Sequence, residues 1–192
     1  DANNTIRFGA QALHHFFDPG KAKGLGDNSL FDEYKQPKAR ALETAVYISN
    51  EQKFGSRVTA KYGLRFSMFN NIGPTTLYFF DKNYDFEYEE QKKSLDFYNT
   101  YAGWEPRLGL NYILTEESSV KASYSRTYQY IQLAQNSTAG TPLDIWFPAS
   151  PNVKPQISDQ FAIGYFRNFL QNTLETSIEA YYKTMQNTID FK

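Results

Sequence analysis

The chain has 192 residues, a net charge of −1 and no cysteine, which leaves no basic excess for a nucleic-acid surface, no disulfide framework and no thiolate metal site. Sixteen Phe and fifteen Tyr raise the aromatic content to 17% while mean hydropathy stays at −0.61, too aromatic for a disordered chain and too poor in aliphatics for an ordinary soluble core. No apolar run approaches the ~20 residues of a spanning helix, so any membrane crossing falls to strands.

The opening, DANNTIRFG, has neither a basic start nor an apolar stretch after it, so no signal peptide is expected there. Residues 4–17 read as a first strand, with Ile6, Phe8, Ala10 and Ala12 on one face and Arg7, Gly9 and Gln11 on the other. A loop rich in Gly, Pro, Asp and Asn follows over 18–39. The second strand, 40–50, sets Leu42, Val46 and Ile48 against Glu43 and Ser49. A tight turn around Glu51–Ser56 leads to the third, 57–69, whose alternation is the cleanest in the chain. There Val58, Ala60, Tyr62, Leu64, Phe66 and Met68 oppose Thr59, Lys61, Gly63, Arg65 and Ser67.

Residues 70–99 are polar, acidic and aromatic without a lasting period, and read as an extended loop that can rise as a hairpin. Residues 104–130 form two strands joined by a polar turn, Thr115 to Ser118. Leu108, Leu110, Tyr112 and Leu114, then Val120, Ala122 and Tyr124, take one face, against Arg107, Gly109, Asn111, Lys121, Ser123 and Ser125. The next loop, 131–156, carries Pro142, Pro148, Pro151 and Pro155, which forbid a central strand. Strand six is 157–167, with Phe161, Ile163 and Tyr165 opposing Gln160, Ala162 and Gly164. A turn at Asn168–Asn172 joins it to strand seven, 173–190, with Leu174, Ile178, Ala180 and Tyr182 opposing Glu175, Ser177, Glu179 and Lys183.

One face of every strand is apolar or aromatic and the other is small, polar or charged, the pattern of a wall between lipid and an aqueous lumen. Arg or Lys at the bilayer midplane costs roughly 2–4 kcal/mol, so Lys61 and Arg65 fix the apolar face as the lipid side. Connections alternate long and short, as periplasmic turns and outer loops do in an outer-membrane barrel. The expected fold is therefore all-β, an antiparallel up-and-down transmembrane β-barrel segment. Seven strands would leave two unpaired edges in lipid, at several kcal/mol per unsatisfied group, so the chain reads as part of a larger barrel.

The segments EPRLGLNYILTEESSVKASYSRTYQYI, PLDIWFPASPNVKPQISDQFAIGYFRN and IEAYYKTMQNTIDF, in that order, resemble the β-barrel of TonB-dependent outer-membrane receptors, particularly those of Bacteroidetes-type bacteria. ARALETAVYISNEQKFGSRVTAKYGLRFSMF and IRFGAQALHHFFDPG look like earlier strands of the same barrel. The resemblance implies an outer-membrane protein of a Gram-negative bacterium that imports a scarce ligand, such as siderophore-iron, haem, cobalamin or a glycan. It also implies an internal plug and energy coupling to the TonB complex. Family barrels have about 22 strands, so residues 1–192 would be part of one barrel domain, with the plug, the TonB box and the closing strands outside it.

Two groups of side chains are candidate sites. Lumen-facing Arg65, Arg107 and Lys121 are read first as members of a wall ion-pair lattice with Glu43, Glu175 and Glu179, and second as plug contacts. Tyr128, Tyr130, Gln132, Asn136, Asp144 and Trp146 mix flat apolar faces with hydrogen-bonding groups, a palette suited to a sugar or siderophore. The structural reading of that loop, a rigid buttress over the rim, comes ahead of the ligand reading. His14 and His15 are adjacent, point to opposite faces and so cannot chelate one metal together. The acidic stretch Asp81–Glu90 lacks the spacing of a calcium loop. No cofactor or metal is expected, and no GxSxG, HExxH or P-loop marks an enzyme. The alternative is a soluble β-rich carbohydrate-binding or adhesion module, which would bury Leu64, Leu110, Ala122 and Ile178 under a second sheet; an enzyme on an all-β scaffold is a third.

Overall fold

The computed structural model describes residues 3–18, 21–22, 34–35, 38–83, 85–134, 145–171 and 173–189. In chain order the strands are β1 (Asn4–Phe17), β2 (Lys21–Ala22), β3 (Tyr34–Lys35), β4 (Ala39–Phe54), β5 (Val58–Ile72), β6 (Thr75–Phe80) and β7 (Phe86–Lys92). They continue with β8 (Phe97–Thr115), β9 (Ser118–Gln129), β10 (Ile131–Ala134), β11 (Ile145–Pro148), β12 (Gln156–Phe169) and β13 (Leu174–Gln186). One antiparallel sheet of seven strands runs β1-β4-β5-β8-β9-β12-β13, and β2-β3, β6-β7 and β10-β11 are two-stranded hairpins in the connections. Every neighbour in the large sheet is the next long strand in sequence, an up-and-down meander.

Register carries the apolar residues into continuous rows. Tyr62, Leu108, Tyr124, Phe161 and Tyr182 are direct partners across five adjacent strands. Ala60, Leu110, Ala122, Ile163 and Ala180 form the row beside them, and Phe8, Ile48 and Leu64 continue the band toward β1. This face is bare: Phe8 is 80% exposed and Ile178 77%. Leu64, Leu110 and Ala122 are exposed as well. Among the described residues no second sheet covers them, so the sandwich arrangement is not the one adopted. Burial lies on the opposite face, where Ala41, Ser67, Phe69, Asn71 and Glu105 are enclosed. A water-soluble domain would do the reverse.

The short connections are tight. Gly55 turns β4 into β5 in the left-handed region (φ 63°) that only glycine enters without strain. At the β8–β9 turn the Thr115 and Ser118 hydroxyls meet at 2.7 Å, and the Glu117 N–H donates to Thr115 Oγ1. Beyond the expected ends, β5 runs to Ile72 and β8 begins at Phe97, so that Asn71 pairs with Asn99 and Phe69 with Tyr101. Residues 75–92 form the β6–β7 hairpin, in which Phe79 stacks on Tyr88 at 4.5 Å.

Candidate functional site: the inner wall and its buttress

Alternation places Arg65, Glu43, Glu105 and Arg107 on the same polar face of β4, β5 and β8, because partners in register share a side. Arg65 sits between two carboxylates, with Nη2 3.7 Å from Glu43 and Nε 3.5 Å from Glu105. Both of its terminal nitrogens also donate to Gln11 Oε1 at 3.2 Å. Glu105 reaches Arg107 at 3.9 Å, and Glu43 lies 3.2 Å from His15 Nε2 on β1. The result is one polar chain, His15–Glu43–Arg65–Glu105–Arg107, tying four strands together. Glu105 is only 5% exposed, and its two guanidinium neighbours are what make a buried carboxylate tolerable there.

Glu105 was absent from the expected partners, although it stands two residues from Arg107 and so had to share its face. Lys121 follows a different course: its ammonium lies 4.2 Å from the centre of the Phe166 ring, a cation–π contact. Neither Glu175 nor Glu179 makes an ion pair among the described residues.

Above this lattice the chain folds back over the wall. The β8–β9 ladder ends at Arg107, one residue short of Pro106, which has no N–H to donate. Released from β8, the end of β9 lays Tyr128 over Gly103, where an added Cβ would fall 2.7 Å from Tyr128 Cε1. A larger residue there would have to displace the ring that covers it. Tyr130 then stacks on Phe69, centroids 5.1 Å apart and planes 7° from parallel, and its hydroxyl meets Ser67 Oγ at 2.8 Å. Burial pushes the Tyr130 phenol up to about 12; Ser67 opposes the shift, and the carboxylates of Glu105 and Glu43 add to it.

Residues 145–155 complete the buttress. Asn71 Nδ2 donates to the Ala149 carbonyl at 2.8 Å and is itself held by Asn99. Tyr101 donates to the Ser150 carbonyl at 2.8 Å, and Gln132 to that of Lys154 at 3.2 Å. Ala41, Phe69, Tyr130 and Ala149 form the buried cluster at its centre.

The six loop residues singled out from the sequence thus separate. Tyr128 and Tyr130 engage the wall through their side chains and Gln132 donates to the buttress at Lys154, with Tyr130 4% and Gln132 5% exposed. Trp146 on β11, paired with Leu133 on β10, is 55% exposed. Asn136 and Asp144 lie outside the described residues. His14 and His15 diverge as adjacent strand residues must: His14 packs edge-on against Phe16, while His15 turns in to Glu43. In the acidic hairpin Asp81 caps its own turn, accepting from the N–H groups of Asn83 and Asp85. Among the described residues no cluster of three or more His, Asp or Glu is arranged to hold a metal.

An exposed apolar face, a charged inner face and alternating connection lengths agree with comparison to known proteins. The family model "TonB dependent receptor-like, beta-barrel" matches residues 2–192. The TonB-dependent heme receptor A of Haemophilus influenzae is 26% identical over 171 residues, covering 76% of this chain and 22% of that protein. The structure of the FrpB iron transporter from Neisseria meningitidis (F3-3 variant) superposes with a TM-score of 0.58 at 15% identity, over 98% of this chain and 27% of that one. The chain therefore spans about a quarter of the length of these relatives, and its seven-stranded sheet matches a partial barrel. The chain belongs to the TonB-dependent receptor family, as a stretch of its β-barrel.

Proposed function

We propose that this chain forms part of the wall of an outer-membrane receptor that binds and imports a scarce ligand, without catalysis. In this reading residues 1–192 belong to one barrel domain. The plug, the remaining strands and the segment that engages the TonB complex come from elsewhere in the receptor. The observation that carries the reading is the sheet's two-sidedness: large apolar side chains exposed on one face, and charges in a partly buried lattice on the other. Hydrocarbon suits the first face and an aqueous lumen the second.

The printed names of the relatives, a heme receptor and an iron transporter, make a haem- or iron-bearing ligand the first to test. Siderophore-iron, cobalamin and glycans follow. The finer likeness to receptors of Bacteroidetes-type bacteria rests on the sequence segments alone. At the outer end, Trp146 offers a flat exposed surface for ligand contact, with Asn136 and Asp144 in the same loop. Tyr128, Tyr130 and Gln132 support that surface from below. Arg65, Arg107 and Lys121 face the lumen, where they meet the plug or the passing ligand.

Deletion of the full-length gene, followed by growth on single sources of haem, ferric siderophores, cobalamin or glycans, tests the reading. A defect on one source, matched by loss of TonB, is expected. Unchanged growth and unchanged uptake of every labelled source would count against it.

A further inference from the structure

We propose that Arg126, held on the lipid side of the wall by Asp159 and Tyr124, binds the phosphate of a lipid headgroup in the leaflet nearest the long loops. The Tyr124 ring packs on Phe161 in the exposed apolar row, centroids 4.6 Å apart, and its hydroxyl donates to Asp159 Oδ1 at 2.7 Å. Arg126, the direct partner of Asp159, donates from Nε to Oδ1 at 2.8 Å and from Nη2 to Oδ2 at 3.0 Å. These contacts set all three on the side of the apolar row. β9 and β12 are interior strands of the sheet, flanked by β8 and β13. A plug inside the barrel, or strands added beyond β1 and β13, would leave that outward side to the membrane.

Height along the strands agrees. Arg126 stands eight residues from Ser118, about 26 Å of strand at ~3.3 Å each. Tilted by about 40°, that is roughly 20 Å above the turn, near the upper border of an apolar band about 25 Å tall. Among the described residues of β9, β12 and β13, the register places three charged side chains on this side: Arg126, Asp159 and Arg167. Arg167 stands at the turn end of β12, its guanidinium 4.7 Å from the centre of the Phe169 ring. Phe161, Ile163 and Tyr165 fill the outward side between Asp159 and Arg167. An outward arginine is expensive at the bilayer midplane and cheap near an interface, so both ends of the strand are where lipid tolerates one.

The donors of Arg126 are not used up. A guanidinium carries five N–H groups, and Asp159 takes one from Nε and one from Nη2. The others make no hydrogen bond among the described residues, and the Arg126 side chain is 40% exposed against 14% for Asp159. Nη1 and Nη2 therefore form a second fork, whose position the carboxylate on the first one fixes. Parallel N–H donors of this kind fit two phosphate oxygens, and at headgroup depth the lipid phosphates are the acceptors within reach.

The inference rests on the apolar face meeting lipid. Full-length receptor in dodecyl maltoside, cleared of other cysteines, carries a fluorophore at Thr184→Cys, the position paired with Asp159 on the next strand. Brominated phosphatidic acid and brominated diacylglycerol, titrated separately, quench it on contact. Phosphatidic acid is expected to act at a concentration about fivefold below that of diacylglycerol. Arg126→Gln abolishes the preference, Arg126→Lys keeps part of it, and Arg167→Gln at the other border leaves it unchanged. Should Arg126→Gln fail to fold, Arg126→Gln with Asp159→Asn, which leaves no unpaired carboxylate, loses the preference in its place. Equal quenching by the two lipids in wild type, or a preference that survives in the folded glutamine variants, overturns the proposal and leaves the lipid-facing assignment standing. Quenching by neither lipid overturns both. Loss of the preference on adding inorganic phosphate would assign the fork to a free anion, and a disulfide joining unlabelled Thr184→Cys receptors in membranes would assign the surface to a second copy; either overturns the proposal.

Discussion

Arginine introduced at either of two adjacent β9 residues, Ala122 or Ser123, meets two different solvents. Ala122 lies between Leu110 and Ile163 on the exposed apolar face, and Ser123 between Gly109 and Ala162 on the inner one. Four residues separate Ala122 from the start of β9 at Ser118, about 13 Å of strand at ~3.3 Å per residue. Tilted by about 40°, that is roughly 10 Å above the turn, inside an apolar band about 25 Å tall and close to its middle. Ala122→Arg is therefore expected to cost about 3 kcal/mol, on the order of a hundredfold in the folding equilibrium. Ser123→Arg opens into water and should stay within about 0.5 kcal/mol of wild type. Urea titration of the full-length receptor refolded into phospholipid vesicles, followed by tryptophan fluorescence, measures both. Equal costs, or a larger cost at Ser123, would refute the assignment of faces.

The remaining predictions concern the inner wall. Glu105→Gln leaves Arg65 and Arg107 without their shared carboxylate; because both guanidinium groups are partly exposed, a loss of about 1–2 kcal/mol in the same titration is expected. Gly103→Ala drives a methyl group into Tyr128 and should cost about 1–3 kcal/mol, read as faster proteolysis within residues 130–155. Tyr130 ionises less readily in the folded protein than in the unfolded chain. Its contribution is fully present below pH 10 and is lost as pH rises through about 12. Tyrosinate absorbance should therefore lose a late-titrating component in Tyr130→Phe.

How far the fold could be read from the chain depends on which solvent meets each face. Where lipid faces water, alternation is clean: β1 was expected at 4–17 and is Asn4–Phe17. Above the hydrocarbon both faces are wet and the alternation fades, so residues 97–99 of β8 were assigned to a loop and 100–103 to no strand. For the same reason the β6–β7 hairpin was expected only as a rise of the 70–99 loop, without strand bounds; Phe79 and Tyr88 stack on one side of it and Phe80 meets Phe86 on the other. The buttress was expected as a rigid, proline-rich loop over the rim, but without its contacts. That Tyr130 would settle on Phe69 and Ser67, more than sixty residues earlier, is a long-range contact with no local signature. The ladder's end at Pro106 did have one, since a proline inside a strand must lie where no donor is needed.

Residues 1–192 contain no cysteine, so a spin-label scan from Val120 to Ser125, with one cysteine introduced at a time into the full-length receptor cleared of any cysteine elsewhere, reads this strand in membranes. The account predicts a period of two: labels at Val120, Ala122 and Tyr124 accessible to oxygen dissolved in lipid, those at Lys121, Ser123 and Ser125 accessible to a water-soluble relaxer. Six labels with the same accessibility, or with the two sets exchanged, would contradict it.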